Sequence, residues 1–97
     1  MKDTIIKAIE NRNLLEFEYD GYSRTVEPHT LGVSKTGKET LSAYQTAGDS
    51  ARGSVPCWGL FSLSKIEYLE ILDDSFDGTR PGYSVGDSRM VRVIAEL

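Results

Sequence analysis

The clearest structural signal in the chain is a β-hairpin, which residues 14–27 encode as Leu-Leu-Glu-Phe-Glu-Tyr-Asp-Gly-Tyr-Ser-Arg-Thr-Val-Glu. Apolar residues at 15, 17 and 19 alternate with two glutamates, and this period of two is typical of a strand with one apolar face. Asp20 and Gly21 follow, a pair that favours a tight turn with positive φ angles. The segment therefore predicts two antiparallel strands, the second of which runs from Tyr22 to Glu27.

The flanking sequence predicts one helix and several further strands. Isoleucines at positions 5, 6 and 9 give residues 5–12 one apolar helical face, and a helix this short is stable only when it packs against the sheet. Pro28 is expected to end the second strand, because proline cannot donate to a ladder. Further strands are predicted over residues 30–33, 39–45, 58–63, 66–72 and 90–95, although 66–72 could also form a short helix. Residues 46–56 are small and polar without periodicity, which predicts a mobile loop.

These elements predict a mainly β protein, in the form of a strongly bent sheet or a small closed barrel with a short N-terminal helix. A chain of 97 residues has room for one hydrophobic core. We therefore expect a single domain over residues 1–97, with its core within about 5–76 and an extension over 77–97 that adds a last strand.

Composition argues against several kinds of partner. The chain carries 11 Lys and Arg against 15 Asp and Glu, so it has no bulk positive field to gather duplex DNA or an anionic membrane. Cys57 is the only cysteine, which excludes an intramolecular disulfide and a cysteine-rich zinc site and fits a reducing compartment. No apolar run approaches the ~20 residues of a membrane span. We therefore predict a cytoplasmic protein.

The order of these elements resembles that of the WYL domain, a small Sm-like or SH3-like β-barrel of bacterial transcription regulators and phage-defence systems. The resemblance spans roughly residues 5–76. Residues 24–28, Arg-Thr-Val-Glu-Pro, resemble the family's Arg-x-x-x-Pro strand. Residues 39–44, Glu-Thr-Leu-Ser-Ala-Tyr, fall on its signature segment, with Glu and Thr where the family has Trp and Tyr. Residues 59–66, Gly-Leu-Phe-Ser-Leu-Ser-Lys-Ile, resemble its Arg-x-Phe-Arg-Leu-Asp-Arg-Ile run, and the tail at 80–83 resembles that of a stand-alone subset.

This resemblance implies a regulatory module that senses a nucleotide or another small anion. The sequence contains no recognisable catalytic constellation or cofactor motif, so we predict binding rather than catalysis. Basic and aromatic side chains at predicted loops and strand ends are expected to converge on one mouth of the barrel. There, arginine forks would hold a phosphate and aromatic rings would stack on a base. The candidate ligand-binding residues are Arg24, Tyr44, Arg52, Trp58, Lys65, Arg80 and Tyr83.

Other interpretations stay open on the sequence alone. The chain could be a homodimer or an adaptor for a protein partner, using a sheet edge or the surface around Trp58. The basic residues could instead be solvated surface charges. His29, the only histidine, is predicted to be a hydrogen-bonded structural residue rather than a general base. The acidic residues between 67 and 77 are interpreted as a solvated strand face rather than a metal site.

Overall fold

The structure is a computed structural model that describes residues 1–49 and 54–97. In that part of the chain it contains one α-helix, six strands and one 3-10 turn at Leu63–Lys65. The elements are α1 (Lys2–Asn11), β1 (Asn13–Tyr19), β2 (Tyr22–Ser34), β3 (Glu39–Gly48), β4 (Cys57–Ser62), β5 (Glu67–Ser75) and β6 (Met90–Glu96). The predicted mainly β class with a short N-terminal helix is confirmed, and all but the first residue of the segment 66–72 lies in strand β5 rather than in a helix.

The predicted hairpin is confirmed as β1 and β2. Tyr19 pairs with Tyr22 across the turn, and both turn residues have positive φ, 53° at Asp20 and 80° at Gly21. Two positive φ angles define the turn whose twist matches that of antiparallel strands, which is why an Asp-Gly pair occurs here.

Strand β2 is longer than predicted because Pro28 does not end it. Its first half pairs with β1 up to Val26, and its second half pairs with β6 from Thr30 onward. Positions 27–29 lie between the end of the pairing with β1 and the start of the pairing with β6. The missing N–H of Pro28 therefore interrupts neither the β1 ladder nor the β6 ladder. The pairing with β3 shifts register between Pro28 and Thr30. This shift allows Val26 and Leu31, which differ in strand parity, both to be fully buried.

The strands form one antiparallel sheet in the order β4-β3-β2-β1-β5, with β6 added to the second half of β2. Among the described residues no pairing joins β4 to β5, so the sheet is open and the predicted closed barrel is not confirmed. The predicted loop at 46–56 begins later than expected, since residues 46–48 extend β3. Residues 50–53 of that loop lie outside the described part of the chain.

The hydrophobic core lies between α1 and the concave side of the sheet. Ile5, Ala8 and Ile9 of the helix pack against buried apolar residues from β1 to β4 and the 3-10 turn. Arg12 then adopts a left-handed conformation, with φ of 55°, that ends the helix and starts β1. Within the described residues, no helix has the length and apolar character needed to cross a membrane.

Candidate functional site

The side chains predicted to share one mouth are distributed over both faces of the sheet. Directly opposed residues of antiparallel strands project to the same face. Arg24 lies opposite the core residue Phe17 and therefore on the inner face. Tyr44 lies opposite both Glu27 and Trp58, and these three residues occupy the outer face. The structure therefore does not bring all of these side chains to one mouth: Arg24 and Tyr44 lie on opposite faces of the sheet, and Trp58 alone of the outer-face pair also reaches the surroundings of Arg24.

A hollow beside Arg24 is the first of two sites that the structure builds. It has a volume of about 460 Å³. We call it the Arg24 hollow; its lining includes Tyr19, Asp20, Arg24, Gln45, Cys57, Trp58, Gly59, Leu60, Phe61, Lys65 and Arg89. It lies along the edge strand β4 and the turn between β1 and β2. Three of the predicted ligand-binding residues, Arg24, Trp58 and Lys65, meet here.

The Arg24 guanidinium is buried, with only 6% of the residue exposed, yet its hydrogen-bond partners are neutral. Nη1 donates to Oε1 of Gln45 at 3.4 Å, and Nη2 donates to the carbonyl oxygen of Tyr19 at 3.1 Å. Nε has no partner among the described residues. No described carboxylate lies within 4.0 Å of the guanidinium, and the four residues outside the description have no carboxylate side chain. Asp20, the one acidic residue in the lining of the hollow, forms no salt bridge with it. Among the described residues Arg24 is thus a buried cation without a paired counter-charge.

Aromatic rings surround this cation. The Arg24 Cζ atom lies 5.6 Å from the ring centroid of Tyr19, 5.5 Å from that of Tyr22 and 5.8 Å from that of Phe61. Ring faces attract a guanidinium by about 0.5–2 kcal/mol, but they cannot accept its remaining N–H groups as an oxygen would. The cation is therefore held in place with hydrogen-bonding capacity left over.

Lys65 supplies a second, exposed positive charge on the rim of the Arg24 hollow. It ends the 3-10 turn, and its Nζ lies 5.9 Å from the ring centroid of Tyr19. The Tyr19 hydroxyl accepts the backbone N–H of Ser62 at 3.0 Å, which fixes the ring between Arg24 and Lys65. The two cations therefore flank one immobilised ring.

The second site lies on the outer face, where Arg80 from the irregular tail meets Glu27 of β2. Arg80 Nε and Nη2 donate to the two carboxylate oxygens of Glu27 at 2.7 and 2.8 Å. The Arg80 Cζ atom lies 5.1 Å from the ring centroid of Tyr44. The Glu27 hydrogen bonds and charge raise the pKa of Arg80. Because this guanidinium already has a bidentate carboxylate partner, it is less available than Arg24 to an added anion.

His29 connects the tail to the sheet and is fully buried. Its Nε2 accepts the backbone N–H of Arg80 at 3.2 Å, so this nitrogen must be unprotonated. Nδ1, 2.8 Å from the carbonyl oxygen of Glu27, then carries the proton and donates it. Burial lowers the pKa of His29, which opposes protonation of the ring. Both ring nitrogens of His29 are therefore hydrogen-bonded within the fold, as predicted for a structural histidine.

Two further predicted residues complete this outer cluster. Trp58 Nε1 donates to the carbonyl oxygen of Pro81 at 2.8 Å, and the indole packs edge-on against His29 with centroids 4.7 Å apart. The Tyr83 hydroxyl donates to the carbonyl oxygen of Leu97 at 3.1 Å. The structure therefore brings Tyr44, Trp58, Arg80 and Tyr83 together, but over the outer face. Arg52 lies outside the described residues.

Several residues of these sites were missed by the sequence analysis. Gln45 is 1% exposed and its side chain accepts from Arg24, a role that its position among small residues of β3 does not reveal. Glu27 was treated only as part of a strand. Arg89 lines the Arg24 hollow, but Nη2 lies 2.6 Å from Asp87, so its charge is balanced. The alternation of residues along β2 does place Arg24 and Glu27 on opposite faces. This alternation is the one feature of the sequence that indicates two separate sites.

Comparison with known protein families, with curated proteins and with solved structures finds no match for this chain. Within the described residues no group of three or more His, Cys, Asp and Glu side chains is placed to hold a metal ion. The chemistry of the two sites therefore follows from their own geometry.

Proposed function

We propose that this chain is a single-domain, non-enzymatic, WYL-like regulatory module of the SH3-like or Sm-like type, and that it binds a small anionic ligand in the Arg24 hollow. The observation that carries the proposal is the buried Arg24 guanidinium without a counter-charge. A nucleotide is the ligand class that best combines a phosphate with a planar ring. The single reduced cysteine agrees with action in the cytoplasm.

Electrostatics supports an anion at this position. Removing a cation from water costs several kcal/mol, and good geometry with an opposite charge is the usual compensation. Arg24 has only neutral acceptors and an unpartnered Nε within the described residues. A phosphate oxygen would receive the remaining N–H groups and supply the missing charge, and charge-assisted bonds of this kind are the strong ones. Lys65 would add a second contact from the rim.

The shape of the Arg24 hollow supports a small molecule. Its volume of about 460 Å³ falls in the range of about 300–1,000 Å³ that small-molecule sites occupy. Tyr22 is not part of the lining, but it lies beside Arg24 and is 40% exposed, so its ring can receive a planar group that extends out of the hollow from a bound phosphate. Base stacking on such a ring contributes about 1–3 kcal/mol.

Isothermal titration calorimetry at low salt tests this function. The panel comprises inorganic phosphate, pyrophosphate, and adenine and guanine mono-, di- and triphosphates. We expect at least one nucleotide to bind the wild-type chain and Arg24→Met to weaken it at least ~10-fold, the loss of one charge-assisted contact. Lys7→Met removes the same charge from an exposed position on α1 and should leave affinity within about twofold. Absence of heat from every ligand with folded protein would refute the proposal.

A second candidate function is protein interaction or homo-oligomerisation through the free edge of β4. Among the residues that the structure describes, this strand pairs only with β3, and 44% of Leu60 is exposed. A second edge, β5, is acidic and shifts register near Tyr68, and such features disfavour strand addition. Light scattering on the wild-type chain and on Leu60→Lys tests this candidate: a wild-type monomer that captures no partner argues against it.

A further inference from the structure

The irregular tail, residues 77–89, crosses the outer face of the sheet without forming a helix or strand. Its two ends are anchored independently of its middle. The N–H of Phe76 donates to the carbonyl oxygen of Arg12 at 3.0 Å, and β6 pairs with the second half of β2. None of residues 77–89 belongs to the hydrophobic core. The middle of the tail is therefore held in place by its contacts with side chains on the outer face of the sheet.

The outer face holds Arg80 through both its side chain and its backbone. The guanidinium is bound bidentately by Glu27, whose side chain is only 5% exposed, and lies over the ring of Tyr44. The backbone N–H of Arg80 donates to His29. The carbonyl oxygen of the next residue, Pro81, accepts from Trp58. The site thus offers a buried carboxylate, an aromatic face, a side-chain acceptor for a backbone N–H and a side-chain donor for a carbonyl oxygen. These are the elements of a receptor for an arginine within a peptide.

We propose that Glu27, His29, Tyr44 and Trp58 form an arginine-binding site that acts as a latch, in which Arg80 holds the tail closed over the outer face. When Arg80 leaves this site, residues 78–82 detach while the sheet and the core stay folded. The opening segment is bounded by Asp77, whose carbonyl oxygen accepts from Arg12, and by Tyr83, whose hydroxyl donates to Leu97. Local opening of this kind is expected where a segment makes few buried apolar contacts.

The latch also reaches the Arg24 hollow, because Trp58 lines that hollow and bonds Pro81 of the tail. Opening the latch breaks the hydrogen bond from the Trp58 indole N–H to Pro81. The indole, which forms part of the lining of the hollow, can then move. This link to ligand binding rests on the proposed function, whereas the latch itself does not. The tests of the latch therefore use no ligand.

Native-state hydrogen exchange and NMR on the full chain test the latch. The chain has one tryptophan, so the Trp58 indole N–H gives a single side-chain signal that reports its bond to Pro81. In the wild type we expect the backbone amide of Arg80 to exchange through a local opening, well before the amides of β2 and β3. In Arg80→Ala we expect exchange at the indole and in the tail to be at least ~10-fold faster, while the strand amides keep their protection.

Two controls make the test specific for the guanidinium. Arg92→Ala removes an exposed arginine from β6 and should leave exchange in the tail unchanged. Methylguanidinium at millimolar concentration should restore protection of the indole and tail in Arg80→Ala, because it fills the site that Glu27 and Tyr44 keep. Methylammonium at equal ionic strength should not, since it lacks the planar fork that matches a carboxylate.

Three results would overturn the latch. The first is a wild-type chain in which the Arg80 amide exchanges only with global unfolding, because the tail would then not be a separable unit. The second is an Arg80→Ala chain whose tail keeps wild-type protection. The third is equal restoration by methylguanidinium and methylammonium, or restoration by neither. Each readout is independent of nucleotide binding, so a failed titration in the Arg24 hollow would leave the latch standing.

Discussion

Replacement of Arg24 by methionine tests whether this residue contributes mainly to ligand binding or mainly to the stability of the fold. The substitution removes the guanidinium but retains an unbranched apolar side chain that can still pack against Phe61 and Tyr19. If Arg24 is a buried cation without a counter-charge, its removal should weaken ligand binding strongly and change the free energy of unfolding little.

The structure sets the size of the expected change. Gln45 Oε1 and the Tyr19 carbonyl oxygen each lose a donor, and a buried acceptor left without one costs about 1–3 kcal/mol. The Tyr19 carbonyl is only partly buried, so water can replace its donor in part. Against these losses stands relief from burying an uncompensated charge, which is several kcal/mol in the opposite direction. We therefore expect a net loss below ~2 kcal/mol, rather than the ~3–5 kcal/mol that breaking a buried ion pair costs.

Urea unfolding followed by Trp58 fluorescence measures this free energy, with and without the best nucleotide from the calorimetric panel. At ten times its wild-type Kd the ligand should stabilise the wild type by about 1.4 kcal/mol, and it should stabilise Arg24→Met, whose affinity is at least ~10-fold lower, by no more than about 0.4 kcal/mol. Lys7→Met should respond to the ligand as the wild type does. A loss of 3 kcal/mol or more in the absence of ligand would refute the reasoning, since it would show that Arg24 has a structural counter-charge.

Three further predictions concern His29, Gly59 and Tyr68. Because burial lowers the pKa of His29 below its ordinary 6.5, the unfolded chain binds a proton that the folded chain excludes. The free energy of unfolding should therefore decrease as the pH falls below 6.5, and His29→Gln should flatten this pH dependence in urea titrations. In Gly59→Ala the new methyl would lie 2.7 Å from the ring of Phe61, which its neighbours confine. We therefore expect the free energy of unfolding, measured by thermal unfolding, to fall by about 1–3 kcal/mol. Gly78→Ala is the control, because its new methyl would meet open space and should lower this free energy by less than about 0.5 kcal/mol. Tyr68 has φ of 56° and is 75% exposed, so Tyr68→Gly should relieve strain and raise stability by about 0.5–1 kcal/mol; a lower unfolding midpoint would contradict this.

Local patterns were sufficient to predict several elements of this fold. The β1–β2 hairpin follows from alternation and an Asp-Gly turn, and α1 follows from isoleucines at helical spacing, because both depend on residues close together in the chain. Within β3, Leu41 and Ala43 stand two positions apart, the spacing of residues on one face of a strand, and both are fully buried. Pro28 was misjudged because its tolerance depends on where β1 stops and β6 starts, which are contacts with distant segments.

The candidate sites, like the fold, have some features that local sequence predicts and others that depend on tertiary structure. The residue types were evident from the sequence, and alternation alone places Arg24 and Glu27 on opposite faces of β2. The partner of each guanidinium was decided only by tertiary structure. Arg80 lies 53 positions after Glu27 in a segment with no regular structure, and no local propensity specifies the path that brings the two together. For the same reason the absence of a counter-charge at Arg24 could not be predicted, since it depends on where the folded chain places every other carboxylate.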